Sequence, residues 1–491
     1  MLPWKTIIGI QKTSEIPVYL QIAKSIIREI KNGVAKPGTR MPGTRELSQM
    51  LNVHRQTVVN AYSELDAQGW ISSAPSKGTF VSEQLPEIAP RNLPAKKQQT
   101  GIPEATPYHF TPNPNFKVPG RTLREINGFH DGPDVRLVPV EQLTRAFKNA
   151  MSRKSQLHHL SYVSGHGNYE LRKVLSEYLN NSRGLHTGID NIFITRGSSM
   201  GIYMLAEILI AKGDCVIVGD TSYSYTDRIF INRGAELLRI KVDDEGLNVD
   251  EVERVCRKRK IRALFVTSHH HYPTTVTLSA ARRMKLLSLA EQYGFIIIED
   301  DYDYDFHYLS SPILPLASAD RYGHVIYVGT LSKAIAPALR IGYIIAPKNL
   351  IEEVAKLRAV IDVQGDPVME QALADLFVLG EVKRHMKKAL KEYHQRRDFM
   401  CGLLKDKLGD VIDFKIPDGG VAIWAKFDKK VPVPELSEKL LKKQLVLSPG
   451  LIHDLAGGKK LNFTRMGFGW MNIAESERAI NLLNSTIRGM G

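Results

Sequence analysis

The sequence has 491 residues, which corresponds to about two to four domains at roughly 100 to 200 residues each. Its apolar content of 43% and charged content of 24% are ordinary for globular proteins and exclude wholesale disorder, collagen-like repeats and coiled coils. The formal net charge of +14 favours polyanionic partners such as nucleic acid or phosphorylated ligands, although a basic soluble enzyme would show the same balance.

Membrane insertion, secretion and disulfide stapling are not predicted. The chain has no apolar run long enough to span a bilayer, and its first residues lack the pattern of a signal peptide. Its three cysteines, Cys215, Cys256 and Cys401, are too widely spaced to predict a disulfide framework or a thiolate metal site. We therefore expect a cytoplasmic protein with no membrane partner.

Residues 14–82 show helical and extended patterns in short segments. Apolar residues recur at helical spacing before a stop at Gly33: Leu20, Ala23, Ile26, Ile27 and Ile30. Thr44 is predicted to cap a short helix over residues 45–51, and a second helix begins near Arg55, which is helix-turn-helix spacing. Two extended runs, residues 70–72 and 79–81, predict a small hairpin wing.

The beginning of the second helix of a winged helix-turn-helix enters the major groove of DNA. Arg55 can bind guanine bidentately there, and Gln56 and Thr57 can contact a base or a phosphate. Four further residues suit phosphates or the neighbouring groove: Arg40, Arg45, Lys77 and Gly78. Each of these residues alone is more simply explained as part of a solvated surface, so the prediction rests on the ensemble.

This ensemble closely resembles the GntR DNA-binding module over nearly all of residues 14–82. The resemblance is carried by Pro17-Val-Tyr-Leu20, Pro37-Gly-Thr-Arg-Met-Pro-Gly-Thr-Arg45-Glu-Leu47, Arg55-Gln-Thr-Val58, Ala61-Tyr62, Leu65, Gly69-Trp70 and Gly78-Thr-Phe-Val81. Val59 stands where some relatives carry a second basic residue, so the base preference of those relatives does not transfer to this chain. The resemblance implies a double-stranded DNA operator as partner.

Residues 83–125 form a proline-rich segment with few large aliphatic side chains. Its prolines are Pro86, Pro90, Pro94, Pro103, Pro107, Pro112, Pro114 and Pro119. Because proline fixes φ and removes a backbone donor, this composition predicts an extended, fairly stiff linker between two folded bodies.

The large body, residues 126–491, alternates β-branched runs with helical stretches. The runs are residues 191–195, 215–219, 263–267, 295–299, 325–328 and 341–346. Runs that are apolar on both faces predict an α/β fold with a largely parallel sheet covered by helices. Ligands of such sheets bind at the carboxyl ends of the strands.

Polar residues follow several of these runs. Gly197, Ser198 and Ser199 open a helix, whose first N–H groups and dipole form a ready anion site. Tyr223 follows the run at 215–219 and offers an aromatic face to a flat ring. The runs at 295–299 and 325–328 are followed by Asp300 and Tyr302, and by Thr330, Ser332, Lys333 and Arg340.

This combination suits pyridoxal 5′-phosphate. Lys333 would form the Schiff base, Asp300 would keep the pyridine nitrogen protonated, and Tyr302 would hydrogen-bond the ring hydroxyl. Arg465 could bind the carboxylate of an amino acid. The phosphate would be held by Ser198, Ser199, Thr330, Ser332 and Arg340. In isolation each residue is more simply a loop, cap or packing residue, and the order and spacing carry the prediction.

From about residue 125 to its end the chain resembles fold-type I aminotransferases. The resemblance is carried by Tyr162, Leu171-Arg172, Arg183-Gly184, Thr195-Arg-Gly-Ser-Ser199, Asp220 to Tyr223, Thr267 to Thr275, Asp300-Asp-Tyr302, Ser332-Lys333, Arg340-Ile-Gly342 and Arg465-Met-Gly467. It implies a large domain with this cofactor, a smaller C-terminal α+β subdomain, and a homodimer in which Tyr162 reaches the phosphate of the other subunit.

One segment departs from the aminotransferase pattern. Where those enzymes carry an asparagine and a Pro-Thr-Gly turn, this chain reads His269-His-His-Tyr-Pro-Thr-Thr275, and one of His269, His270 or His271 is a candidate to replace the asparagine. Three consecutive histidines also suggest a metal. Adjacent side chains of a strand point to opposite faces, and no carboxylate or thiolate pattern accompanies them, so we expect no metal site.

A GntR-like head joined to an aminotransferase-like body resembles the MocR-type transcriptional regulators of the GntR family. They imply a DNA-binding regulator that senses an amino compound, or pyridoxal phosphate itself, without physiological turnover. The alternative is a working aminotransferase with a fused DNA-binding head. Imine exchange at the lysine is needed for sensing and for catalysis alike. Only a measurement of turnover therefore separates the regulator from the enzyme.

Overall fold

A computed structural model describes residues 2–11, 14, 16–74, 78–86, 105–106, 108–115, 128–152, 154–308, 313–454 and 462–490, with only the backbone for residues 154–156. The chain divides into two units, Met1–Thr111 and Pro112–Gly491. Most of the linker predicted for residues 83–125 lies outside the described residues, as does Lys77. No helix within the described ranges is long and apolar enough to cross a membrane.

The described part of the first unit contains helices and one hairpin: α1 (Trp4–Ile7), α2 (Val18–Lys31), α3 (Thr44–Leu51), α4 (Arg55–Ala67), β1 (Ile71–Ala74) and β2 (Gly78–Val81). The predicted helix-turn-helix and antiparallel wing are both present, and the wing pairs Ile71 with Val81. The core also includes Trp4 and Ile8, which precede the predicted start of the domain at residue 14.

The helices of this unit pack through the residues that the sequence pattern predicts. Val58, Ala61 and Leu65 of α4 are fully buried, because a spacing of three and four residues places them on one helix face. Thr44 is not the cap of α3 but its first residue. The preceding Gly43 is extended, and its N–H donates to the Glu46 carboxylate over 3.3 Å.

The second unit contains the remaining elements. Its helices are α5 (Val140–Ser152), α6 (Tyr169–Arg183), α7 (Ser198–Leu209), α8 (Ser224–Asn232), α9 (Val249–Cys256), α10 (Ala280–Tyr293), α11 (Leu316–Ala319), α12 (Lys348–Ile361), α13 (Pro367–Val378), α14 (Glu381–Leu408), α15 (Val433–Lys442) and α16 (Ile473–Arg488). Its strands are β3 (Ile192–Thr195), β4 (Cys215–Gly219), β5 (Glu236–Ile240), β6 (Val242–Asp243), β7 (Gly246–Leu247), β8 (Ala263–Val266), β9 (Ile296–Asp301), β10 (Val325–Thr330), β11 (Gly342–Ile345), β12 (Ile412–Asp413), β13 (Ala422–Phe427) and β14 (Phe463–Gly467).

A seven-stranded sheet in the order β3-β11-β10-β9-β8-β4-β5 organises this unit. Its strands are parallel except for β11, which is antiparallel to both neighbours, so the predicted largely parallel α/β sheet is confirmed. Val216 and Val218 of β4 pack into one apolar cluster and Ile217 into another. Both faces of the sheet are therefore covered.

The structure differs from the sequence-based prediction at strand boundaries. Asp300 and Asp301 lie within β9, and Thr330 lies within β10, where we expected all three to follow the strands. The reason is pairing: Val328 is opposite Asp300, and Gly329 is opposite Asp301, so the ladder continues past the apolar residues. A separate antiparallel sheet, β12-β13-β14, belongs to the C-terminal part of the unit.

Candidate functional site

The predicted site residues are gathered at one edge of the seven-stranded sheet. Thr195 at the end of β3 is opposite Gly342 at the start of β11, and Gly342 is opposite Thr330 at the end of β10. Because β11 is antiparallel, its first residue lies at the edge where its neighbours end. The chain segments after β3, β9 and β10 and before β11 therefore meet there.

The start of α7, which we predicted to bind an anion, forms one end of this edge. Gly197 precedes the helix with φ +79°, and a side-chain carbon there would lie 2.5 Å from a guanidinium nitrogen of Arg340. Arg340 donates to the carbonyl of Arg196 over 3.2 Å. The structure thus brings the guanidinium beside Gly197, the residue that precedes α7. The helix then opens with half-buried Ser198 and exposed Ser199, where the first N–H groups of a helix have no partner within the helix.

Lys333 follows β10 and reaches across the site. The N–H of Ser332 donates to Thr330 Oγ1 over 3.1 Å, which ties the turn to the end of the strand. The Lys333 ammonium donates to the carbonyl oxygen of Asp131 over 2.6 Å, and its nitrogen lies 3.6 Å from the Asp131 carboxylate. The Lys333 side chain as a whole is 22% exposed, so it is only partly buried.

Arg465 of β14 lies at the same place and is almost fully buried. Its Nε is 3.1 Å from Asp131 Oδ2, Nη1 donates to the carbonyl of Pro273 over 3.0 Å, and Nη2 lies 3.4 Å from the Tyr302 hydroxyl. These neighbours raise the pKa of Arg465 despite its burial, which alone would lower it. The structure therefore connects Arg465 to Lys333 through Asp131.

Asp300 is a buried carboxyl group near the middle of the edge. Its Oδ1 has no hydrogen-bond partner within the described part of the chain. Burial, with smaller contributions from the charges of Asp301 and Asp303, raises the pKa of Asp300 to about 8. Such a carboxyl group needs a cationic or N–H partner to ionise at neutral pH.

Three tyrosine rings contact one another in series after β4, β8 and β9. The Tyr302 hydroxyl donates to the carbonyl of His270 over 3.0 Å, and Tyr302 contacts Tyr272 edge-on at 6.1 Å between ring centroids. Tyr272 also contacts Tyr223 at 5.0 Å and lies 4.7 Å from the Arg465 guanidinium. Tyr223 and Tyr302, which the sequence predicted, are joined by Tyr272, which it did not.

Two residues of the site were missed by sequence reasoning, Asp131 and Tyr272. Asp131 lies in an irregular segment between the linker and α5, where no pattern marks a functional aspartate. Tyr272 stands immediately before Pro273, next to the turn that the aminotransferase pattern marks. Its position beside that turn was the signal in the sequence that could have identified it. The prediction considered the three histidines for the asparagine's role, whereas Tyr272 is the side chain that contacts Tyr223 and Tyr302.

The expectation of no metal at the histidine run rested on a premise that the structure contradicts. β8 ends at Val266, so residues 269–271 lie beyond the strand and their side chains do not alternate between two faces. The rings of His269 and His270 are adjacent, with centroids 4.7 Å apart, whereas His271 Nδ1 contacts Thr274 Oγ1 at 2.8 Å.

Tyr162 is not among the residues gathered at the sheet edge. Its side chain is 84% exposed, and the neighbouring Val163 N–H donates to Gln364 over 2.6 Å.

The first unit presents its own candidate surface for nucleic acid. Arg55 and Gln56 are exposed on the first turn of α4, Thr57 is half-buried beside them, and Arg55 Nε lies 3.5 Å from Thr44 Oγ1 of α3. Arg45 is exposed at the beginning of α3. The other predicted contacts are at the wing, where Arg40 bridges to Phe80 and packs against Gly78.

Comparison with known proteins identifies both parts of the chain. Residues 134–483 match the family model "Aminotransferase class I and II", and residues 18–81 match "Bacterial regulatory proteins, gntR family". The chain is 27% identical to the uncharacterised HTH-type transcriptional regulator YdfD of Bacillus subtilis (strain 168), over 97% of this chain and 98% of that protein. It is 26% identical to the probable rhizopine catabolism regulatory protein MocR of Rhizobium meliloti, over 86% and 84% of the two chains.

A solved structure shares the fold of the large unit. The α-aminoadipate aminotransferase LysN of Thermus thermophilus, complexed with N-(5′-phosphopyridoxyl)-L-leucine, aligns with a TM-score of 0.70 and 20% identity. The alignment covers 75% of this chain and 93% of LysN. The predicted fold class, a GntR helix-turn-helix ahead of a fold-type I aminotransferase fold, is confirmed.

Proposed function

This chain belongs to the aminotransferase class I and II family and carries a GntR DNA-binding domain, the organisation of MocR-type regulators, and from that premise we propose that it regulates transcription by sensing an amino compound at a pyridoxal phosphate site. One observation carries the proposal. A helix-turn-helix with Arg55 on its second helix and a sheet edge with Lys333 and Arg465 occur in the same chain. A DNA-binding protein that works on a bacterial chromosome acts in the cytoplasm.

The residues of the sheet edge fit pyridoxal phosphate. When bound, this group supplies an aldehyde that reacts with primary amines and a ring that withdraws electrons. The unpartnered Oδ1 of Asp300 is suited to hold the proton at the pyridine nitrogen, and the buried Ser332 Oγ also lacks a partner within the described residues. Arg340 and the N–H groups at the start of α7 would hold the phosphate, beside Gly197, where a side chain would not fit.

The remaining site residues have positions consistent with the proposed roles. Lys333 would bond to the aldehyde, Tyr302 would hydrogen-bond the ring hydroxyl, and Tyr223 would contact the ring face. Thr330, Ser198 and Ser199 would add hydroxyl groups around the phosphate. We propose a homodimer, in which Tyr162 would reach the phosphate of the other subunit, and its exposure in the single chain supports that role.

The effector is proposed to be an amino compound with a carboxylate. Arg465 is the buried guanidinium next to Lys333, and the carboxylate of Asp131 lies 3.1 Å from its Nε. The contact is direct support for a carboxylate-binding arginine, because Asp131 presents there the chemical group that an amino acid would present. An amine that reaches Lys333 and a carboxylate that reaches Arg465 would be held at two points.

The decisive experiment measures operator affinity and catalysis on the same preparation. The full chain with pyridoxal phosphate would be used to select an operator from random-sequence DNA, and amino acids would then be screened for effects on operator affinity and on the visible spectrum. We expect at least one to change both without sustained keto-acid production. Keto-acid production with unchanged operator affinity would overturn the regulatory proposal in favour of a working aminotransferase. A response to pyridoxal phosphate alone would overturn the proposed amino effector.

The DNA-binding surface supports a prediction for Arg55 and Arg45. If Arg55 reads a guanine, Arg55→Ala costs about 1 to 3 kcal/mol of binding to the selected operator and relaxes the preference at that base. Arg45→Ala instead weakens binding to all sequences alike and reduces the slope of log K against log salt by about one. Fluorescence anisotropy over a salt series separates the two, and operator affinity unchanged in folded Arg55→Ala would refute base recognition by Arg55.

The raised pKa of Asp300 predicts a pH dependence of stability in the protein without pyridoxal phosphate. The folded state keeps this carboxyl protonated up to about pH 8, whereas the unfolded chain releases the proton near the ordinary pKa of 3.8. The folded state thus binds more protons between these values, so the free energy of unfolding falls as pH rises through this window. Asp300→Asn should flatten that decline in urea unfolding at pH 5 to 8, leaving the part due to Asp301, whose pKa burial raises to about 7. Equal declines in both proteins would contradict the assignment.

A further inference from the structure

Three imidazoles lie together behind the aromatic side of the site: His269, His270 and His307, here called the histidine cluster. Each offers a ring nitrogen, and these nitrogens all lie within 4.8 Å of one another. His269 and His270 are 3% and 2% exposed, whereas His307 is half-buried and forms the outer member. The proposed function uses none of these three side chains.

Four of the six ring nitrogens of the cluster have no hydrogen-bond partner within the described residues. Both nitrogens of His269, Nε2 of His270 and Nδ1 of His307 are buried and have no partner within the described part of the chain. A buried nitrogen without a partner is costly, and buried polar groups in proteins are nearly always satisfied by protein, water or an ion. The cluster is therefore suited to bind a group that accepts several imidazole lone pairs at once.

Asp303 orients one of these rings as a metal ligand. Its Oδ1 lies 2.9 Å from His270 Nδ1, and both side chains are nearly fully buried. A carboxylate that accepts the Nδ1–H proton leaves the lone pair on Nε2, which is the arrangement found around metal-bound histidines.

We propose that the histidine cluster binds a divalent transition-metal ion of zinc's chemical class through one nitrogen from each ring. Three imidazoles and a water form a tetrahedral site of the kind that zinc prefers, with Zn–N distances of about 2.0 to 2.1 Å. Contraction of the 4.8 Å cluster to such a site requires side-chain shifts of the order of 1 Å. His307, the outer member, has the most freedom to make them.

An ion at this position would join two segments that carry site residues. His269 and His270 lie just before Tyr272, and His307 follows Tyr302 and Asp303 in the segment after β9. Metal binding would thus fix the turn that carries Tyr272 against the segment that carries Tyr302. The proposal goes beyond the regulatory function and does not depend on it, since zinc affinity is measured without operator or effector.

The test uses the full chain with pyridoxal phosphate bound, after removal of metals with a chelator. Zinc is titrated by calorimetry, and cobalt(II) serves as a spectroscopic probe, because tetrahedral cobalt absorbs between the cofactor band and the red end of the spectrum. We expect one equivalent per chain. His307→Asn should weaken zinc binding by more than tenfold, and Asp303→Asn, which loosens His270, by about 10- to 100-fold.

His186→Asn is the matched control, because His186 is an exposed histidine outside the cluster and should leave zinc affinity unchanged. Circular dichroism of each variant confirms folding, and the cobalt spectrum of the unmodified chain needs no variant at all. The proposal is overturned if the unmodified chain shows neither saturable zinc binding nor a tetrahedral cobalt band. It is also overturned if His307→Asn binds zinc as tightly as the unmodified chain, and buried water would then be the partner of these nitrogens.

Discussion

Lys333→Ala is expected to abolish the covalent attachment of pyridoxal phosphate. Lys333 combines the features that this bond requires: a position in the turn after β10, Ser332 beside it, and an amine that reaches Asp131, the partner of Arg465. An alanine there leaves only the noncovalent phosphate and ring contacts. The absorption band that depends on the covalent bond to Lys333, and the fixation of the group by borohydride, should therefore disappear.

Lys348→Ala provides the control for this experiment. Lys348 begins α12, is 62% exposed and pairs with Asp190, so its loss should change neither absorption nor borohydride fixation. Peptide mapping after reduction identifies the modified lysine in the unmodified chain. A borohydride-stable label that persists in Lys333→Ala would assign the bond to another lysine and refute this part of the site.

Arg465→Ala is expected to remove the response to a carboxylate effector while Lys333 still bonds to pyridoxal phosphate. The guanidinium is the buried cation next to Lys333, so its removal leaves the effector carboxylate without its fork of donors. The same change breaks a buried ion pair, which costs about 3 to 5 kcal/mol of stability. The spectral shift and the change in operator affinity on adding the effector are the measurements.

Asp131→Ala distinguishes an effector anchor from a structural salt bridge, because it breaks the same pair from the other side. If Arg465 binds the effector, Asp131→Ala should retain or strengthen the response that Arg465→Ala loses. If the pair is only structural, the two variants should behave alike at matched stability. An effector that acts equally on Arg465→Ala and on the unmodified chain would exclude Arg465 as its anchor.

The sequence predicts those features that depend on local pattern. The apolar spacing of Val58, Ala61 and Leu65 specifies the inward face of α4, because helical periodicity is a property of the segment itself. The parallel strands of the large unit are recognisable for the same reason, since a fully buried run such as β4 is apolar at every position. The edge strand β5, with a glutamate and an arginine among its five residues, carries no such signal.

The features that the sequence does not predict depend on tertiary contacts. The sequence pattern predicts that Asp300 follows a strand. Asp300 belongs to β9 because it pairs with Val328 of β10. Asp131 and Arg465 are 334 positions apart, and a contact between them has no local signature. The grouping of His269 with His307 likewise arises from the fold, because the intervening residues include α10 and β9.

The contact between Asp131 and Arg465 has a consequence for the concentration at which an effector acts. The segment that carries Asp131 is fixed by backbone hydrogen bonds from Phe129 to Val446 and from Gly467 to Phe129, so its carboxylate is always close to the guanidinium. A tethered group competes at an effective concentration that reaches the millimolar range for short tethers. If the effector carboxylate binds Arg465 as proposed, it must exceed that competition. Asp131 would then set a threshold concentration below which trace amounts of an amino acid have no effect on the protein.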